Sequence, residues 1–228
     1  MRSVSFLFCL FPVFLLSQRL CGDSLQLFGA TAEEFEELWE TRGFPLIAST
    51  EYEIKDGEFG VEVTGKATNA NRAMARRLDV EDPTKIELAW SWRVRSELDG
   101  SVSERTKAGD DFAARVFVVF ETSVFPTRTR AINYVWSARE PVGATFASPY
   151  TKLVAHIVMR NGESTENPAE WLQESRDVLA DYKQFFGESP SVVTAVAIMV
   201  DTDNTDGYAE GDFRDLVLEI SPSPEKSK

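Results

Sequence analysis

The chain is poor in the residues that would staple it, metallate it or draw it onto nucleic acid. Only two of its 228 residues are cysteine, Cys9 and Cys21, and both precede Gly22. A domain that begins after them has no internal disulfide, even in a compartment that permits one, so packing has to hold it together. Histidine occurs once, as His156. One imidazole cannot build a multi-histidine zinc centre, and no serine sits in an elbow motif that would complete a hydrolase triad. Basic side chains number 24 against 37 acidic ones, a net charge of −13. A phosphate backbone needs a cationic surface, so nucleic acid is disfavoured as a partner. No apolar run reaches the roughly 20 residues that span a bilayer, which argues against stable membrane insertion. Internal repeats and Pro-, Gly- or Ser-rich linkers are also missing, so a single domain is expected.

What is present begins with a leader. Arg2 precedes an apolar run from Phe6 to Leu16, and the small pair Cys21-Gly22 follows. This is the layout of a secretory signal peptide, with cleavage near Gly22. A lipoprotein signal would place small residues just before Cys21, where Arg19 and Leu20 stand, so the exported, periplasmic or secreted reading is preferred. Residues 1–22 contain Arg2, Arg19 and no acid, so their removal makes the remainder still more acidic. The expected organisation is a signal peptide over 1–22, a folded domain over 23–220 and a disordered tail over 221–228.

Thr31-Ala32-Glu33-Glu34 forms a capping box, and Phe35, Leu38 and Trp39 recur at helical spacing, which predicts a short helix from Ala32 to Thr41. From Thr50 the period changes to two. Ile86, Leu88, Trp90, Trp92 and Val94 alternate with Glu87, Ala89, Ser91, Arg93 and Arg95, a strand with one face on a core. Phe112–Phe120 and Ser191–Val200 are apolar at nearly every position and predict central strands. Further strands are expected at 51–55, 59–64, 131–137, 152–160 and 213–220. A longer helix is expected over 168–186, with Asn167 as cap, Pro168 in the first turn, Gly187 as stop, and Trp171, Val178, Tyr182 and Phe185 as its apolar stripe. About eight strands between turn residues make an antiparallel β-sandwich the expected fold class, mainly β with two helices.

Three stretches carry a family resemblance: Glu104 to Val116 (ERTKAGDDFAARV), Ile132 to Trp136 (INYVW) and Val196 to Thr205 (VAIMVDTDNT). In order and spacing the chain resembles a bacterial family of exported proteins catalogued as domain of unknown function 3047. The resemblance carries over no catalytic residue. It implies an exported domain that looks like a jelly-roll of the galactose-binding type.

Two groups of residues stand out as candidate sites. Asp201, Asp203, Asn204 and Asp206, with Asp212 as a further candidate, form the densest cluster of oxygen ligands, and calcium is the cation such a set would suit. The plainer interpretation is a turn whose side chains bond nearby amides. Arg93, Arg115, His156 and Arg160 occupy polar strand positions, with Asn133, Tyr134 and Trp136 on another strand and Asp110 and Asp111 just before Phe112. Were these strands neighbours, they would form a concave face of rings and forked donors suited to a carbohydrate or sugar acid. The plainer interpretation puts Trp90, Trp92 and Trp136 in the core and pairs the arginines with acids. The function expected is non-catalytic binding of a carbohydrate or small ligand. Two alternatives differ in class: a carboxylate-dependent hydrolase of envelope glycans using Asp110, Asp111, Asp201 and Asp203, and a structural envelope protein without a ligand.

Overall fold

A computed structural model describes residues 24–43, 46–121, 129–162, 167–190 and 192–221. The leader and residues 222–228 of the expected tail lie outside the described residues. The elements run β1 (Ser24–Gln26), α1 (Ala32–Leu38), β2 (Trp39–Gly43), β3 (Glu51–Gly57), β4 (Gly60–Thr68), β5 (Asn71–Glu81), β6 (Lys85–Ser96) and β7 (Ala114–Glu121). They continue with β8 (Thr129–Ser137), β9 (Thr145–Ser148), β10 (Thr151–Asn161), β11 (Leu172–Asp177), α2 (Val178–Phe186), β12 (Val192–Asp201) and β13 (Tyr208–Ser221).

The strands form two sheets. One has the order β11-β6-β13-β4-β3, with β1 on β13, and the other the order β2-β5-β12-β7-β8-β10-β9. Among the described residues, every pairing between these strands is antiparallel except β8 with β10. The expected β-sandwich with two helices is therefore what the chain forms. Alternation along each strand explains its core: Ile86, Leu88, Trp90, Trp92 and Val94 of β6 are all buried, facing Val116, Val118 and Phe120 of β7 and Ile132, Tyr134 and Trp136 of β8. The rings interlock, Trp90 lying 5.1 Å from Tyr134 and Trp92 5.9 Å from Trp136. Burial of this much aromatic surface supplies the main stabilisation of a domain without disulfides. Gly211 of β13 is packed against the residue before β7, for a Cβ there would stand 2.4 Å from the Ala113 carbonyl oxygen.

Both helices differ from expectation. The Thr31 hydroxyl caps α1 as predicted, accepting from the Glu34 amide at 3.2 Å. The helix stops at Leu38, three residues short of Thr41, because Trp39 turns in to stack on Phe35 and its Nε1 donates to the Leu27 carbonyl. Trp39–Gly43 then pairs with β5 as an edge strand.

The helix expected over 168–186 is real only from Val178. Leu172–Asp177 is a strand that pairs with β6, and the cap is Asp177, whose Oδ1 accepts from the Ala180 amide. Asn167 instead closes a local turn by accepting from Ala169. The open edge of β6 satisfied six residues of backbone that a helix would have satisfied internally. Gly187 does end α2, at φ +78. Among the described residues no helix is long and apolar enough to cross a membrane.

Candidate functional site

The outward face of the seven-stranded sheet carries a buried polar cluster at one end. Arg115 projects from β7 and Asp201 ends the neighbouring β12. Arg115 Nε donates to Asp201 Oδ1 at 2.6 Å and Nη2 to Oδ2 at 2.5 Å, while Nη2 also reaches the Asp110 carbonyl. The Asp110 carboxylate bridges onward, its Oδ1 lying 3.7 Å from Arg115 Nη1 and 3.2 Å from His156 Nε2, and its Oδ2 accepting from Ser148. Asn133 Nδ2 lies 2.8 Å from His156 Nδ1, an arrangement that places the imidazole proton on Nε2, toward Asp110. Asp111 accepts from the Asn204 and Thr205 amides and from the Thr205 hydroxyl. The loop before β7 and the loop after β12 are thus fastened to each other.

The electrostatics follow from burial. Desolvation would lower the Arg115 guanidinium, but Asp201, Asp110 and Asp111 outweigh it and hold the charge more firmly than usual. Burial likewise pushes Asp110 up, yet His156 and Arg115 carry its carboxyl below the ordinary range. Burial lowers His156 in spite of Asp110, so the imidazole is held neutral. Asp201 is pushed well up by burial, against the pull of Arg115 and with the help of Asp111, Asp110 and Asp203.

Carboxylate oxygens of Asp111, Asp201 and Asp203 lie within 4.8 Å of one another, which is compatible with a cation. Their lone pairs are already engaged, however: those of Asp201 by Arg115, those of Asp111 by Asn204 and Thr205, and one of Asp203 by Asn71. An ion would have to displace these partners. Asn204 belongs to the trio only through Asp111, Asp206 is exposed at φ +55, and Asp212 lies in the other sheet, so the acids from 201 to 212 do not share one centre.

The structure therefore brings Arg115, Asp110, Asp111, His156 and Asn133 together but withholds the other expected residues, and the shared concave face is corrected. Tyr134 and Trp136 point to the opposite, inter-sheet side, where Tyr134 donates to Asp181 and Trp136 to Glu97. Arg160 leaves for Glu174 of β11. Arg93 belongs to β6 in the other sheet and pairs with Asp212. Asp110, Asp111 and Asp201 are each at most 6% exposed and bonded to their own chain, so they do not face a cleft as a glycosidase pair must.

Rings and forked donors do meet, around Arg93 on the outward face of the six-stranded sheet. The Arg93 and Arg214 guanidinium carbons each lie 4.3 Å from the centre of the Trp171 ring. Arg214 also lies 5.5 Å from the ring of Phe59, which stands 66% exposed in the turn between β3 and β4. Arg93 Nε is fixed on Asp212 at 2.5 Å and its Nη1 on the Ala169 carbonyl, which anchors the Trp171 segment. Arg214 Nε lies 3.2 Å from Asp215, and Ser91 holds the same carboxylate oxygen. A β-bulge between Arg214 and Val217, with Asp215 at φ +54, puts these successive side chains within reach of each other. Phe59, Trp171 and Arg214 are not among the site residues that the sequence suggests. The signal for Phe59 was its place in Gly57-Glu58-Phe59-Gly60, a tight turn from which a ring cannot reach the core. Trp171 was hidden by the helical reading of its segment.

Fold and surface together define a two-sheet β-sandwich with an arginine–aromatic platform on one outer face and a buried ionic clasp on the other. The chain belongs to the protein family of unknown function DUF3047, whose model matches residues 37–217. No curated protein matches it. Among solved structures it is similar to the xyloglucanase domain of NopAA, a type three effector from Sinorhizobium fredii, in complex with cellobiose, at 8% identity and a TM-score of 0.47 over 90% of this chain and 100% of that one. It is also similar to the family 11 carbohydrate-binding module of the cellulase Lic26A-Cel5E of Clostridium thermocellum, at 9% identity and a TM-score of 0.39 over 82% and 90%. A xylan-binding module of family 15 gives 10% and 0.39 over 89% and 97%. Likeness at this level carries no weight on function.

Proposed function

We propose that this protein is an exported, non-catalytic glycan-binding β-sandwich whose contact surface is the platform of Phe59, Trp171, Arg93 and Arg214. The observation that carries the reading is the placement of two partly or largely exposed rings about one guanidinium, Arg214. Sugar rings present an apolar face and a rim of hydroxyls, and aromatic planes beside fixed hydrogen-bond donors match both. The contact area the platform offers is largely that of the Phe59 and Trp171 rings, so it suits the apolar face of a neutral glycan. The exported location is supported by the leader over residues 1–22.

The test is a panel of soluble neutral gluco-, xylo- and galacto-oligosaccharides, followed by calorimetry on any that bind. Phe59→Ala and Trp171→Ala should each weaken binding by about tenfold, the loss of roughly 1.4 kcal/mol. Failure of the wild-type protein to bind any member of the panel, or binding untouched by both variants, overturns the reading.

A further inference from the structure

A cavity of about 210 Å³ lies between β10 and α2. Its lining includes the apolar side chains of Val142, Ile157, Met159 and Phe185. It also includes Arg176, Asp181, Gln184 and Thr145. Its size falls below the 300–1,000 Å³ of sites for drug-sized ligands and suits a molecule of about one ring.

The polar part of the lining is ordered from behind. The buried Tyr134 hydroxyl donates to Asp181 Oδ2 at 2.7 Å, and Arg176 Nε donates to the same oxygen at 2.9 Å. Arg176 Nη2 binds Asp181 Oδ1. The carboxylate is 5% exposed and faces this network, whereas the Arg176 side chain is 35% exposed. Its Nη1 has no hydrogen-bond partner among the described residues. The lining therefore includes a guanidinium held by a buried acid, together with the amide-bearing Gln184 and the hydroxyl-bearing Thr145. All three can donate, and an acceptor of matching charge is a carboxylate.

We propose that this cavity is a binding site for a compact hydrophobic carboxylate, the acid group on Arg176 Nη1 with Gln184 and Thr145, and the hydrocarbon body against Ile157, Met159 and Phe185. The site is independent of the glycan platform, since the two share no residue.

Benzoate is a suitable probe, with benzamide as its uncharged counterpart. Calorimetry on the full protein should show one saturable benzoate site, with benzamide at least tenfold weaker. Arg176→Met should weaken benzoate at least tenfold. Because that change also strands Asp181, two further variants guard against misfolding: Gln184→Leu on the exposed side of α2 should weaken benzoate several-fold, and Val142→Trp at the 56% exposed mouth should block entry. Phe59→Ala should leave benzoate affinity unchanged, which separates this site from the platform. No saturable binding up to about 10 mM, equal affinity for benzamide, or insensitivity to both Gln184→Leu and Val142→Trp overturns the proposal.

Discussion

Arg115 and Asp201, projecting from adjacent strands and both buried, face each other through two parallel bonds of 2.6 and 2.5 Å. Fork-to-fork pairing of this kind is the strongest geometry open to an ion pair, but its net value depends on what else surrounds it. Here Asp110 and Asp111 also contribute to the field at Arg115, so the cation balances more than one acid. The pair is a clasp between two loops and has no solvent-facing donor to offer a ligand.

That asymmetry predicts unequal effects of removing either partner. Arg115→Met leaves Asp201 buried beside Asp110 and Asp111 with no cation, and should lower unfolding stability by about 3–5 kcal/mol. Asp201→Asn still leaves the guanidinium with Asp110, and should lose clearly less. Urea denaturation midpoints measure both, and an equal or reversed order would show that Arg115 is not the common counter-ion.

His156 predicts how stability depends on pH. Its pKa in the folded protein lies below the ordinary value of about 6.5, so the unfolded chain binds more protons in the interval between the two. The contribution is complete above about pH 6.5 and is lost as pH falls through that interval, at no more than about 1.4 kcal/mol per pH unit. Stability of the wild-type protein minus that of His156→Gln, followed from pH 8 toward 5 by urea melts, should decline as pH falls. A flat or rising difference would contradict a neutral, buried imidazole.

Much of the fold was legible because alternation is a local property. The residues Ile86 to Val94 announce which side of β6 is inward, and all five inward residues are buried. Alternation does not tell which sheet a strand joins. Arg93 and Arg115 both occupy outward positions, yet β6 and β7 belong to different sheets, and a single hollow lined by both was geometrically closed off. The segment 168–177 failed for a different reason. Val178, Tyr182 and Phe185 do lie on α2, and Trp171 continues their period only by chance of spacing, while Glu174 and Arg176, polar on the inward side of β11, find Arg160, Trp92 and Asp181 that no linear pattern reveals.

The acidic loop makes a prediction about metal. Each carboxylate of the trio Asp111, Asp201 and Asp203 has a donor from its own chain, so adding calcium or a chelator should leave the melting temperature unchanged. Asp111→Ala should lower stability in both conditions alike, because it frees the Asn204 and Thr205 amides rather than an ion. A calcium-dependent rise in melting temperature that disappears in Asp203→Ala would reverse this assignment and make the trio a cation site.

Salt separates the two kinds of glycan the platform could recognise. Charge attraction to an acidic polymer weakens as the Debye length shrinks from roughly 14 Å to about 4 Å between ~0.05 and ~0.5 M salt. Stacking on Phe59 and Trp171 does not. With Arg93 on Asp212 and Arg214 near Asp215, affinity for a neutral oligosaccharide should change less than about twofold over that range, and Phe59→Ala should weaken binding about tenfold without altering the melting temperature. Trp171→Ala should lower both, since its ring also covers two guanidinium groups. A steep loss of affinity with salt would mean that the arginines, and not the rings, make the decisive contacts, and would turn the platform into a site for acidic sugars.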